Sequence, residues 1–294
     1  MSLHRPAGSL REGPDPIVLT PHAAGWTYTG LWVLDLPAGE ARTLRTGECE
    51  AFVLPLSGSG TVEVDGERFR LRGRTSVFAG VSDFLYLPRE AEAVVATETG
   101  LLAAVPSARC ERRLTPRYGP AEGVPVEVRG AGRATRQVTN FGAPGVWEHA
   151  DRLMACEVLT PDGNWSSYPP HKHDEASAHE SVNEEIYYFR IAERDGITPG
   201  PSGFGLHRTY TADGAIDETV TVRDGDVFLI PRGYHGPCVA APGHPMYYLN
   251  VLAGPGPERS MAFCDDPAHA WVRERWAEEP ADPRCPLTDH RGRR

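Results

Sequence analysis

The chain has 294 residues, of which 40% are hydrophobic and 24% charged, and its formal net charge is −10. This composition is typical of a folded globular protein, and the negative charge without a Lys/Arg-rich run argues against nucleic-acid binding. The apolar stretches fall short of the roughly 20 residues that span a bilayer, and the start lacks the apolar core of a secretory signal, so we expect a cytoplasmic protein without membrane contact.

The first half of the sequence predicts short strands joined by turns. Runs such as 52–56, 61–64 and 68–71 are rich in β-branched or aromatic residues and are separated by Gly and Pro. Asp65 and Gly66 stand between two of these runs, and such a pair is typical of a hairpin because Gly readily accepts a positive φ.

The second half repeats this pattern. A turn signal recurs at Asp213 and Gly214, and the strand end at 228–232 matches the one at 85–89. We interpret the repeat as an internal duplication of one β-sandwich or barrel unit, and therefore predict an all-β fold.

The predicted domain boundaries follow the composition. The segment 109–135, rich in Arg, Gly and Pro, is typical of a connector. We expect an N-terminal unit with its connector at 1–130, a second unit at 131–275, and a mobile tail at 276–294.

Two histidines in the second half, His171 and His173, are candidate metal ligands. Residues i and i+2 of an extended strand point to the same face, so their imidazoles could share one ion. An H-x-H pair by itself is weak evidence, because two surface histidines give the same pattern.

A strand at 184–190 offers a carboxylate. Alternation places Glu185 and Tyr187 on one face and Glu184 on the other. The run 225–235 is an apolar strand that ends in a Pro/Gly turn and presents His235. Three imidazoles and one carboxylate suit a divalent transition metal: zinc in the first place, with manganese, iron, nickel or cobalt as alternatives.

Segments 171–185 and 225–235 resemble the paired cupin motifs. The first motif is an H-x-H followed by Glu, and the second is G-x5-P-x-G followed by His. The chain departs from the pattern by inserting residues 174–183 between His173 and the carboxylate. This insertion leaves Glu175, Glu180 and Glu184 as rivals of Glu185, and it brings His179 within reach. Of these we favour Glu185, because it begins a strand-like apolar run.

Longer strings extend the resemblance to a narrower family. Segments 164–173, 184–190, 230–238, 246–254 and 265–272 are similar to those of the 5-deoxy-glucuronate isomerases of myo-inositol catabolism, which are related to the 5-keto-4-deoxyuronate isomerases. The resemblance covers most of the chain and is densest from 156 to 273. It implies a bicupin with one metal site, and accordingly 20–105 lacks an H-x-H and is interpreted as a structural copy.

The resemblance implies an aldose–ketose isomerase that converts 5-deoxy-glucuronate to 5-dehydro-2-deoxy-gluconate with a metal acting as Lewis acid. Tyr187, Tyr248 and Glu184 are the candidate proton shuttles. Arg190 and Arg232 are the candidates for binding the substrate carboxylate, since a guanidinium binds a carboxylate through two parallel hydrogen bonds. We expect a homo-oligomer, as in related bicupins.

Two other functions fit the same ligands. A cupin dioxygenase would use this set with iron and oxygen. A non-catalytic sugar-binding cupin would need no reaction at all, although regulators of that kind carry a DNA-binding segment, and none is visible in the sequence.

Overall fold

The computed structural model describes residues 2–294, and its regular structure is almost entirely β-strand. The strands of the first half are β1 (His4–Arg5), β2 (Ile17–Leu19), β3 (Thr29–Leu36), β4 (Ala41–Arg45), β5 (Cys49–Val64), β6 (Glu67–Arg74), β7 (Phe84–Leu87), β8 (Glu92–Ala96), β9 (Leu101–Arg109) and β10 (Arg117–Gly119). Those of the second half are β11 (Val126–Arg129), β12 (Arg136–Thr139), β13 (Met154–Thr160), β14 (Trp165–Ser166), β15 (His171–Lys172), β16 (Glu184–Ile191), β17 (Gly205–Tyr210), β18 (Asp217–Val222), β19 (Val227–Ile230), β20 (Tyr234–Ala240), β21 (Met246–Ala253), β22 (Cys264–Asp265), β23 (Thr288–Asp289) and β24 (Gly292–Arg293). The helices are short: α1 (Pro21–Ala24), α2 (Trp271–Arg275) and the 3-10 turns Ala121–Gly123 and Gly132–Ala134.

The predicted all-β class is confirmed. The helices within residues 2–294 are all too short or too polar to cross a membrane. The predicted hairpin is also present, because Val64 pairs with Glu67 across a two-residue turn in which Asp65 and Gly66 both have positive φ, 50° and 78°.

The first half forms one curled sheet in the order β10-β7-β5-β9-β3-β2. The long strand β5 pairs with β7 and β9 over its first part and with β6 and β8 over its second, so the sheet folds back on itself. The enclosed core is aliphatic, with buried residues that include Leu34, Val53, Val62, Leu85 and Val105.

The second half is a sandwich of two sheets. One has the order β1-β19-β16-β21-β13-β12-β11, and the other has the order β18-β17-β20-β15-β22 with β14 beside β20. Between the sheets lies a core rich in aromatic side chains, which include Tyr187, Phe189, Phe228 and Tyr248.

Corresponding strands of the two halves pair in the same register, which accounts for the repeat in the sequence. Ala51 of β5 lies opposite Leu87 of β7, and Glu185 of β16 lies opposite Ile230 of β19. Leu87 and Ile230 each precede a Pro-Arg pair, so the matched strand ends occupy equivalent places. Ala51 is therefore the counterpart of Glu185, and the first unit has a methyl group where the second has a carboxylate.

Strand alternation gives β16 and β21 two buried faces. Tyr187 and Tyr248 point into the second unit, whereas Ile186 and Tyr188 point outward. The outward face packs against residues of the first unit, such as Phe52, in one continuous apolar cluster. The two units are thus joined through a shared core.

The predicted division at residue 130 stays a prediction, and the strand pairing crosses it. β1 extends the sheet of the second unit, where the Leu229 N–H donates to Leu3 O at 3.0 Å, and β11 joins the same sheet through β12. The tail, expected to be mobile, is instead packed on the second unit. Thr288 is buried, its N–H donates to Gln137 Oε1 at 3.0 Å, and Gln137 Nε2 donates to its hydroxyl at 2.9 Å, which satisfies a buried amide.

Candidate metal centre and active-site cavity

Three strands of the second unit bring the predicted ligands together. β15 pairs with β20 so that His171 lies opposite His235, and β16 carries Glu185 on the inward face. Glu185 Oε2 lies 2.9 Å from His173 Nε2 and 3.1 Å from His235 Nε2. One ligand atom from each of His173, Glu185 and His235 lies within 4.8 Å of the others. His171 is outside that group, but its ring centroid is 4.5 Å from that of His235.

The other nitrogen of each imidazole faces a backbone carbonyl. Nδ1 of His173 is 3.1 Å from Asn183 O, and the Nδ1 atoms of His171 and His235 are each 3.3 Å from the carbonyl oxygen two residues earlier. A donor at Nδ1 leaves a lone pair on Nε2, which is the tautomer that binds a metal. The backbone carbonyls therefore favour, at each of the three rings, the tautomer that can bind a metal.

The charges in this cluster favour a cation. Burial and the neighbouring His235 hold the pKa of His171 well below its usual value. Burial would also lower the pKa of His173, but the hydrogen bond to Glu185 raises it. Burial alone would raise the pKa of Glu185, but His235 and His173 lower it to about 2, so the carboxylate is ionised.

A divalent metal fits these residues. His235 is fully buried, and although its Nε2 is close to Glu185, the geometry makes no hydrogen bond, so that atom has no partner within residues 2–294. A buried nitrogen with an unused lone pair beside an ionised carboxylate is a donor set suited to a metal ion.

The rival carboxylates in the long loop have other contacts. Glu180 is buried and accepts two hydrogen bonds from the Lys172 ammonium at 3.0 Å, while Glu175 is exposed. Glu184 accepts backbone N–H bonds from the first unit, outside the cavity. His179 is exposed on the same loop. Of the four glutamates, Glu185 alone among the described residues faces the histidines.

A cavity of about 390 Å³ opens beside this cluster. Its polar lining includes His171, His173, Glu185, Tyr187, Tyr248, Ser167, Asn140, Asn250, Arg129 and Arg136, and the remainder is largely apolar. This volume suits a small organic molecule.

Ser167 links the two predicted tyrosine shuttles. Its Oγ lies 3.1 Å from Tyr187 Oη and 2.9 Å from Tyr248 Oη, and all three side chains are buried. Burial raises the pKa of both phenols well above their usual value, with Glu185 adding to the shift at Tyr187 and Cys238 at Tyr248. Both tyrosines therefore hold their protons at neutral pH.

The two predicted substrate-binding arginines lie elsewhere. Arg190 is on the outward face of β16 and pairs with Asp224 at 2.8 Å, and Arg232 is exposed beside Asp213 at 3.4 Å. Neither lines the cavity, because alternation along β16 turns Arg190 away from Glu185 and the turn after β19 directs Arg232 to the surface. The third candidate shuttle, Glu184, is excluded from the cavity for the same reason as Arg190.

Sequence reasoning did not single out three of the cavity residues, although two of them lie within segments 164–173 and 246–254. Arg136 and Asn250 lie on β12 and β21, and Ser167 follows β14. Arg136 directly follows the segment interpreted as a connector, and its sequence context carries no signal of a site. Its position could be found only once β12 was known to pair with β13.

Comparisons with known proteins agree with this architecture. The KduI/IolB family matches residues 3–272. A Geobacillus kaustophilus protein named 5-deoxy-glucuronate isomerase is 41% identical over 276 residues, 92% of this chain and 94% of the relative. A Bacillus subtilis (strain 168) protein of the same name is 37% identical over 85% of this chain and 89% of its own.

Solved structures give the same fold. A crystal structure of an IolB-like protein from Salmonella typhimurium LT2 has a TM-score of 0.84 and 36% identity, and covers 93% of this chain and 100% of its own. Lactobacillus farciminis oxalate decarboxylase has a TM-score of 0.64 at 12% identity, over 90% of this chain and 88% of its own, and this likeness concerns the fold alone. The predicted bicupin fold is confirmed.

Proposed function

Because this chain belongs to the KduI/IolB family and is an enzyme of the isomerase class, we propose that it converts 5-deoxy-glucuronate to 5-dehydro-2-deoxy-gluconate in inositol catabolism, using one divalent metal ion. The observation that carries this proposal is the buried cluster of His173, Glu185 and His235, with the His171 ring beside it, at the wall of a cavity of substrate size. The substrate is that in the name of the relatives, 5-deoxy-glucuronate isomerase.

His171, His173, Glu185 and His235 would hold the metal. When bound, a divalent ion supplies a Lewis acid next to the carbonyl oxygen of the substrate. Zinc is the ion we propose first, because it prefers nitrogen and carboxylate ligands, although the same set accepts manganese, iron, nickel or cobalt.

The protein's own residues then have to move protons. The isomerisation takes one proton from the hydroxyl-bearing carbon to the aldehyde carbon and one from the hydroxyl oxygen to the aldehyde oxygen, so no oxidant or reductant is needed. Tyr187 and Tyr248 keep their protons at neutral pH and share the hydroxyl of Ser167. We assign the tyrosines to the transfer between the two oxygens, because a phenol that stays protonated is an acid and a hydrogen-bond donor rather than a base.

The remaining expectations stay predictions. A sugar acid as substrate agrees with the name of the relatives. The homo-oligomeric state and the cytoplasmic location rest on sequence reasoning.

The test is turnover of 5-deoxy-glucuronate followed by NMR in D2O. We expect loss of the aldehyde proton signal, appearance of a ketose, and one deuterium at the former aldehyde carbon. Prolonged chelation should abolish turnover, and one equivalent of metal per chain should restore it. Oxygen consumption with a small organic substrate and without ketose formation would instead identify a dioxygenase and reject the proposal.

A further inference from the structure

Arg136 is a buried cation without an anionic partner. It is 5% exposed, and no carboxylate within residues 2–294 lies within 4 Å of its guanidinium. The buried arginines Arg74 and Arg190 differ, since each is paired with a carboxylate, Glu157 and Asp224. An uncompensated buried charge is costly, so a folded protein retains one where an anion binds.

The surroundings hold the guanidinium in place without satisfying it. Nη1 donates to Ala134 O at 3.1 Å, and the group lies over the Trp276 ring with its carbon 5.3 Å from the ring centroid. The remaining N–H groups make no hydrogen bond in the described structure. Arg129, which also lines the cavity, is already engaged in two hydrogen bonds with Glu127, at 3.1 and 2.7 Å.

A second unpartnered group lines the same cavity. Asn250 is 9% exposed, and its Oδ1 accepts no hydrogen bond in the described part of the chain. An amide oxygen in this state is ready to accept a hydrogen bond from a ligand hydroxyl. The cavity thus offers a guanidinium and an acceptor in addition to the metal ligands.

We infer that Arg136 binds the carboxylate of the substrate and selects sugar acids over uncharged sugars. Asn250 Oδ1 accepts a hydrogen bond from a substrate hydroxyl that lies between the carboxylate and the reacting end. This inference rests on the proposed function for the identity of the acid. In 5-deoxy-glucuronate the carboxylate and the aldehyde are at opposite ends of a six-carbon chain. Arg136 and the histidine cluster line one cavity, so a single extended molecule can reach both.

The planar guanidinium of Arg136 suits a carboxylate better than an ammonium would. The guanidinium is planar and binds a carboxylate through two parallel hydrogen bonds, whereas an ammonium provides a point charge. Lysine at this position should therefore recover only part of the binding. The neutral amide of glutamine should recover none of the charge-assisted component.

The experiment uses calorimetry to compare the affinities of two ligands for the metal-loaded protein. Each ligand is first brought to isomerisation equilibrium. The ligands are 5-deoxy-glucuronate and 5-deoxy-glucose, in which a hydroxymethyl group replaces the carboxylate. We expect the wild type to bind the acid about 10- to 100-fold more tightly than the uncharged sugar. Arg136→Gln should lose that preference, because its affinity for the acid should fall while its affinity for the uncharged sugar should change less than about threefold. The preference of Arg136→Lys should be intermediate.

The matched control is Arg232→Gln, which removes a surface guanidinium outside the cavity and should leave both affinities unchanged. Equal binding of the two ligands by the wild type would overturn the inference, and this measurement needs no variant to fold. The inference would also be overturned if Arg136→Gln retained one metal per chain but bound both ligands more weakly by the same factor. Arg136-dependent acid binding without ketose formation would reject the proposed function and leave the inference standing.

Discussion

Two adjacent glutamates have opposite surroundings. Glu184 accepts hydrogen bonds from three consecutive backbone N–H groups of the first unit, those of Thr27, Tyr28 and Thr29, at 2.8, 2.7 and 3.0 Å. Glu185 faces His173 and His235 on the other side of β16. The carboxylate of Glu184 therefore links the two units, whereas the carboxylate of Glu185 faces the imidazoles.

This contrast gives a paired prediction. Glu185→Gln should lose stoichiometric metal, because an amide supplies no negative charge to the cluster. Glu184→Gln should retain one metal per chain, while the free energy of unfolding falls by about 1–3 kcal/mol, because backbone donors lose a charged acceptor. Metal analysis and urea denaturation measure the two effects. The reverse result, metal lost in Glu184→Gln and kept in Glu185→Gln, would refute the carboxylate assignment.

The sequence predicted the faces of these residues but not all of their partners. Strand alternation was enough to separate Glu184 from Glu185. It could not reveal that Glu184 binds backbone some 155 residues away. Arg190 and Arg232 were chosen for being near ligand positions in sequence, and strand geometry and exposure removed both from the cavity.

At the scale of elements, β17 places an uncharged histidine beneath the site. His207 is fully buried, with its ring centroid 4.4 Å from that of Phe228, and its nitrogens contact Cys238 Sγ at 3.1 Å and Thr209 Oγ1 at 2.9 Å. Burial, reinforced by His235, lowers the pKa of His207 to about 3. The strand therefore carries a group that resists protonation as long as the protein is folded.

This histidine should make stability depend on pH. Above the unfolded pKa of 6.5, His207 is neutral in both states and has no effect. Below it the unfolded chain takes up a proton that the folded protein does not accept until about pH 3, so the free energy of unfolding falls by about 1.4 kcal/mol per pH unit. Between pH 6.5 and 5, the free energy of unfolding of the metal-loaded wild type, measured by urea denaturation, should fall by about 2 kcal/mol more than that of His207→Leu. Parallel pH dependences would contradict this prediction.

Local sequence determines the conformation of some connecting segments but not of others. The turn at Asp65 and Gly66 was predictable because it depends on the conformation of two residues. The loop 174–183 was not, because its shape depends on side-chain contacts. Glu180 accepts N–H bonds from Asp174 and Glu175 and also binds Lys172, and none of these contacts follows from periodicity.

For the whole molecule, the duplication explains what the two units kept in common. Glu50, which precedes Ala51 as Glu184 precedes Glu185, accepts hydrogen bonds from the backbone N–H groups of residues 151–153. Each unit thus contributes a carboxylate that binds the backbone of the other. The backbone-binding carboxylate is present in both copies, whereas the carboxylate that we propose as a metal ligand is present only in the second.

These reciprocal contacts predict that the units do not fold separately. A fragment 121–294 would expose the outward faces of β16 and β21, including Ile186, Tyr188 and Leu249, and would lose β1 from its sheet. Apolar surface of this kind favours aggregation. We expect 1–120 and 121–294 to be insoluble when expressed singly, and to copurify with one metal per complex when coexpressed with a tag on one fragment. A soluble 121–294 that unfolds cooperatively and binds metal alone would contradict this expectation, because β19, which pairs with the Glu185 strand, would then not need its β1 partner.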